Sequence, residues 1–305
     1  LLQVTDQGGI SKLPISAVVT HRDLRGIFPQ GKILACDFEL ENAPALGAHE
    51  PYGFYLPKHD IVSIDHHADA AQMFTHVSSG NLAIEYVKAC GVALPDEHVV
   101  VNHTDCDSVI SSLIVKGLLP PLDVFGEAVI AADHTGAENP IADLLQAIDF
   151  FHDLQTSIAC LGRLLAAEPQ PEKIQKALES RLRSREETAV IIKQGDAILQ
   201  EGALTVVRLN QAMCSEFLPA LLPEAKLIMG FEPAPTPGAP WIARLRLGQH
   251  VPHGFHLKAL KVQETIDPHF GGRWNAGANR RGGGTTQSLE DYCKALAHAV
   301  DALLA

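Results

Sequence analysis

The sequence predicts an α/β fold, a first domain on a mostly parallel sheet followed by a smaller α+β domain, and three observations carry this. Short β-type runs alternate with helical stretches through the first half, which is the rhythm of βαβ units. A long polar helical stretch over 171–201 then interrupts the pattern, and strand-like runs resume after Gly202. At 305 residues the chain can form two domains, each burying its own core.

The elements follow in order. Residues 17–20, 33–36 and 61–64 are apolar runs of strand length. A helix is expected from about 81 to 90, a strand over 99–102, and a helix from about Ser108 through Val109-Ile110-Ser111-Ser112-Leu113-Ile114. Residues 141–167 read as helical throughout, and 171–201 combine Glu, Lys and Arg pairs with apolar residues at helical spacing. Further on, 204–209, 226–229 and 241–247 are strand-like, while 216–222 and 288–304 are helix-like. Pro233, Pro235, Pro237 and Pro240 mark a rigid loop between two strands. The expected organisation is a first domain over 1–168, a connector helix over 169–202 and a second domain over 203–305.

A hydrophobic fraction of 46% and a charged fraction of 20% are those of a soluble globular protein. No apolar stretch reaches the ~20 residues of a membrane span, and the first residues lack the regions of a signal peptide. Cys36, Cys90, Cys106, Cys160, Cys214 and Cys293 are scattered without a close pair, which fits a reducing cytoplasm better than a disulfide framework. A net charge of -12 argues against wrapping a long nucleic acid. A short oligonucleotide or a small anion in a local basic pocket is compatible with it, as is a homodimer.

Aspartate and histidine gather where the apolar runs stop: Asp37, Asp65-His66-His67, His103 with Asp105 and Asp107, and Asp133-His134. In an open α/β sheet such strand ends line the ligand crevice. Imidazole with carboxylate suits Mn²⁺ better than Ca²⁺ or structural Zn²⁺, with Mg²⁺ or Co²⁺ as substitutes. Two ions about 3.5 to 4 Å apart would polarise a phosphoryl oxygen and generate the nucleophile from water, with Asp37 or Asp107 as a bridge. Successive side chains of an extended chain point to opposite faces, so one of His66 and His67 can hold metal while the other meets substrate. His250, His253 and His256 have the spacing of a metal tract, or belong to a loop near the substrate.

Ser63-Ile64-Asp65-His66-His67-Ala68 resembles the signature of the DHH phosphoesterases. That family includes single-strand exonucleases, nano-RNA and cyclic-dinucleotide phosphodiesterases, and family II inorganic pyrophosphatases. His103-Thr104-Asp105-Cys106-Asp107-Ser108 is similar to its first motif, a His and two spaced Asp residues before a helix. Phe270-Gly271-Gly272-Arg273-Trp274-Asn275-Ala276-Gly277 is similar to the Gly-rich substrate loop of its smaller second domain, the DHHA1 type. The order departs from the family, whose His/Asp/Asp motif precedes Asp-His-His. Here the early position holds Thr20-His21-Arg22-Asp23-Leu24-Arg25-Gly26, with Arg25 in place of the second Asp. Either the early motif has degenerated, or motif order is rearranged with the site kept in space. The second is favoured because Asp107-Ser108 leads into a helix, and His21 and Asp23 then become rim residues.

The resemblance implies a metal-dependent phosphoesterase or phosphatase acting on a small phosphorylated metabolite, nucleotide or short oligonucleotide. Metal ligation falls to Asp37, Asp65, His66, His103, Asp105, Asp107 and Asp133, and catalytic roles to His67 and Asp107. Substrate contacts fall to His67, Arg273, Asn275, Arg280 and Arg281, in a cleft that closes between domains. Arginine stands where the family's loop has histidine, and guanidinium forks on a Gly-rich loop suit an anionic end. Two alternatives remain open: a catalytically silent, regulatory ligand-binding protein, and a metal-dependent hydrolase of a non-phosphate bond.

Overall fold

The computed structural model describes residues 5–7, 9–14, 19–195, 198–209 and 212–305. Two compact units divide the chain: one contains 1–133 and 138–180, the other 134–137 and 181–305.

The first unit contains, in order, β1 (Thr5–Gln7), β2 (Ile10–Lys12), α1 (His21–Ile27), β3 (Ile33–Cys36), α2 (Ala43–Leu46), β4 (Ala48–Glu50), β5 (Gly53–Leu56), β6 (Ile61–Ile64), α3 (Ser79–Cys90), β7 (His98–Val101), α4 (Cys106–Lys116), α5 (Asp123–Ile130), α6 (Pro140–Ile148) and α7 (Leu154–Leu165). Its sheet runs β1-β2-β7-β3-β6-β5-β4. The four strands β2, β7, β3 and β6 are mutually parallel, and the edges are antiparallel. Every residue of β3 and β6 is buried. This explains why β3 reads as an unbroken apolar run and β6 as one interrupted only by the buried Ser63, since a parallel sheet is covered on both faces. Cys36 lies opposite Ile64, so Asp37 and Asp65 each stand one step beyond a matched pair of strand ends.

Of the expected strand over 17–20, residues 17 and 18 lie outside the described residues. Val19 makes a single parallel bridge to Leu40, and Thr20 caps α1. The stretch 141–167 is not one helix. It breaks at a 3₁₀ turn, Asp149–Phe151, followed by His152 at φ 52°. Asp153 then caps α7 through the N–H of Gln155.

α8 (Glu172–Gln194) carries the division between the units, which falls after Ser180. The expected helix over 171–201 stops at Gly195, whose φ is 72°, a left-handed conformation that glycine adopts freely. The residues just before 202 form a strand instead. The second unit continues with β8 (Ile198–Glu201), β9 (Leu204–Arg208), α9 (Leu218–Leu221), β10 (Leu227–Glu232), β11 (Ile242–Leu247), α10 (Val262–Thr265), β12 (Gly271–Gly272), β13 (Ala276–Ala278) and α11 (Leu289–Leu304). Its sheet, β12-β13-β11-β10-β9-β8, is antiparallel except between β9 and β10. Among the described residues no helix is long and apolar enough to cross a membrane.

Candidate metal centre

Parallel pairing brings the ends of β3 and β6 to one rim of the first unit, and there the acidic and imidazole side chains meet. Asp37, just past β3, is buried and sits at φ 59°, a conformation that non-glycine residues adopt rarely and that functional sites retain. Its Oδ1 accepts the Ser79 hydroxyl at 3.0 Å and its Oδ2 the Ser108 hydroxyl at 2.6 Å. Asp107, near the start of α4, accepts the backbone N–H of Ser79 at 2.9 Å and of Gly80 at 2.7 Å. These are the first amides of α3, groups that a helix leaves unsatisfied and whose dipole favours an anion.

His66 is fully buried, and its Nδ1 lies 2.9 Å from the Val77 carbonyl oxygen. A carbonyl only accepts, so Nδ1 carries the proton and Nε2 presents its lone pair. Nε2 lies 3.4 Å from Asp133 Oδ2, 3.6 Å from Asp107 Oδ2 and 4.0 Å from Asp37 Oδ1. Asp133 stands on a π-helical turn, Ala131–Thr135, an irregularity frequent at functional sites.

These separations fit a divalent ion. With ligand bonds of about 2.1 Å, adjacent donors of an octahedral ion lie about 3 Å apart and opposite donors about 4.2 Å. Electrostatics agree. Burial first, and then the neighbouring carboxylates of Asp105 and Asp107, hold Asp37 well above the usual carboxylate range. Burial first, and then Asp133 and Asp105, do the same to Asp107, against the lowering effect of the Gly80 and Ser79 amides. A cation is the charge that such a set lacks.

His67 has a different partner. Its Nδ1 lies 2.7 Å from Asp65 Oδ1, and its side chain is 26% exposed. Burial pushes the Asp65 carboxyl up, but His67, through its charge and hydrogen bonds, together with the nearby His66 holds Asp65 below its usual value. Asp37 Oδ1 is 3.8 Å from His67 Nδ1, so Asp37 lies between the two imidazoles.

Asp105 caps its own helix, accepting the Ser108 N–H at 3.0 Å, and reaches Asp37 and Asp107 as an electrostatic neighbour. His103 is half-buried on the loop before α4, and its charge is felt at Asp149. The early motif takes no part in the cluster. Asp23 forms a capping box with Thr20, the His21 ring packs tilted against that of His59 with centroids 4.1 Å apart, and Arg25 donates to the carbonyls of Phe28, Gly31, His59 and Asp60. Arginine at 25 therefore serves to staple loops.

The second unit holds the remaining candidates. Asn275 is buried, with its side-chain amide 3.1 Å from His134 Nδ1. Arg280 and Arg281 are exposed on a 3₁₀ turn at the mouth of a cavity of about 410 Å³, which also receives Arg244, Arg246 and His269. Arg273 lines a different cavity with Lys258 and Lys261. The 249–256 tract forms no ligand cluster among the described residues, and His250 instead lies 3.6 Å from Glu224. A larger cavity of about 600 Å³ beside β8 and β9 mixes Leu221 and Leu222 with Lys226, Glu224 and Asp301, and offers no convergent ligand set.

Sequence reasoning missed Ser79, Gly80, Arg244 and Arg246. Ser79 binds three ways: its amide to Asp107, its hydroxyl to Asp37, and its oxygen to the His66 amide at 3.4 Å. The available signal was Ser78-Ser79-Gly80 at a helix start, and for the arginines their alternation along β11.

No family model matches the chain. A comparison with curated proteins finds no match either. Similar solved structures include the pGpG-specific phosphodiesterase PggH from Vibrio cholerae, at TM-score 0.39 and 12% identity, covering 72% of this chain and 86% of that one. Exonuclease RecJ bound to manganese aligns at TM-score 0.33 and 13% identity over 93% of this chain and 92% of its own. An exopolyphosphatase-related protein from Bacteroides fragilis aligns at TM-score 0.36 and 12% identity over 92% and 95%.

Proposed function

We propose that the chain is a metal-dependent hydrolase of phosphoester bonds in a small phosphorylated metabolite, nucleotide or short oligonucleotide. The observation that supports this is the approach of Asp37, Asp107 and Asp133 to Nε2 of His66, three carboxylates and one imidazole of which all but the partly exposed Asp133 are buried. Mn²⁺ is the ion this mixed oxygen and nitrogen set suits best. When bound, such an ion polarises a phosphoryl oxygen and lowers the pKa of water toward neutrality.

The chain's own residues do the rest. Ser79 and Ser108 hold both oxygens of Asp37, and the α3 amides hold Asp107, so these carboxylates are oriented before any ligand arrives. Asp37, lying between the imidazoles, would help to hold the metal. Asp65 fixes the orientation of His67, whose partial exposure suits proton transfer at Nε2 to or from a phosphoryl or leaving-group oxygen.

The test is a turnover screen over nucleotides, short oligonucleotides, pyrophosphate and sugar phosphates, with chelator-treated protein before and after Mn²⁺ is restored. Turnover that chelator abolishes and Mn²⁺ restores is expected. Protein that contains no metal, and whose activity and melting temperature ignore Mn²⁺, contradicts the proposal. Tight metal binding without turnover points to the silent ligand-binding reading instead.

A further inference from the structure

We propose that Phe150 stacks the nucleobase of the substrate, so that the phosphoester handled at the metal centre belongs to a nucleotide or short oligonucleotide rather than to pyrophosphate or a sugar phosphate. As a statement about substrate class this rests on the hydrolase reading, while base binding itself requires no turnover.

The 11 phenylalanines, 4 tyrosines and 2 tryptophans all lie among the described residues, and Phe150 is the only one of them that is exposed. At 63% it is also the most exposed of the large apolar side chains at the surface. An aromatic ring left in water forfeits a large burial, and here the backbone withholds that burial. Phe150 occupies the middle of the 3₁₀ turn Asp149–Phe151, which closes where the His152 N–H meets the Asp149 carbonyl at 2.8 Å and His152 turns left-handed at φ 52°. The Phe151 ring supports it with centroids 4.1 Å apart, and Lys173 Nζ stands 3.9 Å from the Phe151 centroid. A second ring and a cation thus prop the exposed one.

The turn is fastened to the rim that carries the metal set, within the same unit. Buried Thr104 donates its hydroxyl to Asp149 Oδ1 at 2.9 Å and lies one residue before Asp105. The loop that holds both leaves β7, which runs parallel to β3, at the end where Asp37 leaves β3. Asp105 accordingly acts on Asp37, Asp107 and Asp149 alike as a neighbouring negative charge.

The surroundings of the ring decide what covers it. Asp149, His152 and Asp153 flank the two phenylalanines along the turn, so the exposed ring does not continue into the broad apolar patch that a protein partner covers. A single exposed π-face set among polar and ionisable groups suits a flat heterocycle, whose face stacks on an aromatic side chain whatever the base. His103 on the rim loop and His152 at the end of the turn both act on Asp149, and their ring nitrogens suit the polar edge of a base. Pyrophosphate and sugar phosphates present no such face.

The experiment is isothermal titration of the Mn²⁺-loaded full chain with adenosine 5′-methylenephosphonate and ribose 5-methylenephosphonate, which differ in the base and whose P–C bond water does not cleave. The adenosine compound should bind at least about tenfold more tightly, within the range of one base stacked on an aromatic side chain. Phe150→Ala should erase that difference and leave the ribose compound unaffected, while Phe150→Trp should keep it. Circular dichroism and Mn²⁺ titration should be unchanged in both variants, because the side chain is exposed. Equal binding of the two compounds, or none of either, overturns the assignment, as does a full adenosine preference in Phe150→Ala. If Mn²⁺-dependent turnover of a phosphoester survives that result, the base site alone is wrong. A base preference that depends on Phe150, in a protein without turnover, supports the site and sinks the hydrolase reading.

Discussion

Asp107 Oδ1 accepts the backbone N–H of Gly80 at 2.7 Å, so a carboxylate at the start of one helix rests on the N-terminus of another. A Cβ at position 80 would come within 2.8 Å of Val129 Cγ1 and 3.3 Å of Asp107 Oδ1. Gly80→Ala is therefore expected to cost about 1–3 kcal/mol of stability from overpacking and to weaken metal binding by about tenfold. Calorimetric Mn²⁺ titration with chemical denaturation of the same sample checks both. Unchanged affinity would mean that the Asp107 position is not set by this contact.

Asp107→Asn and His66→Ala should each lower turnover by at least about 100-fold while the protein stays folded. Each removes a donor from the set around His66 Nε2. Steady-state kinetics and elemental analysis on the same preparations decide this. Near-normal kinetics in Asp107→Asn would show that the carboxylate acts only as a cap for α3.

His67→Ala and Asp65→Asn should separate chemistry from metal content. Asp65 holds His67 by a 2.7 Å contact, whereas Val77 and three carboxylates surround His66. Turnover is expected to fall by about 100-fold or more with the ion retained, the scale of a lost acid-base group. Loss of metal in parallel would place His67 among the ligands instead.

The buried carboxylates give a pH dependence with a definite sign. Asp37 and Asp107 are held well above the ordinary value of 3.8 by burial and by other carboxylates. Above 3.8 the folded, metal-free protein then binds more protons than the unfolded chain, so these groups make stability fall as pH rises toward their folded values. Metal binds the deprotonated form, so the melting-temperature gain from Mn²⁺ should grow from about pH 5 to about pH 7. Differential scanning fluorimetry with chelator or Mn²⁺ across that range reads it directly. A gain that shrinks with pH would show that the ligands ionise freely without metal.

Part of this centre was legible in the chain itself. Asp65-His66-His67 stands out because an apolar run that must be buried stops there at three polar side chains, and Asp37 ends β3 in the same way. Asp105 and Asp107 were harder to separate. Two residues apart at a helix start, the first turns back to cap Ser108 and the second faces α3, a division set by where α3 docks. The roles of Ser79 and Gly80 depend on the same docking, which no local pattern encodes. The break after 148 hid in a continuous helical period that a 3₁₀ turn and then the left-handed His152 interrupt. Arg25 departs from the resembled motif, and the structure shows why arginine belongs there: its guanidinium gathers carbonyls from two loops.

The bond between His66 Nδ1 and the Val77 carbonyl has a mechanical side. It fastens together two points 11 residues apart, and the same ring turns its other nitrogen toward the carboxylates. The intervening loop is thus laced shut by the imidazole that would hold the ion, and the lace slackens when that ring is released. Emptying the centre should then register far from any reaction, as faster protease nicking between 67 and 76, so that ion occupancy is read on a gel without any substrate.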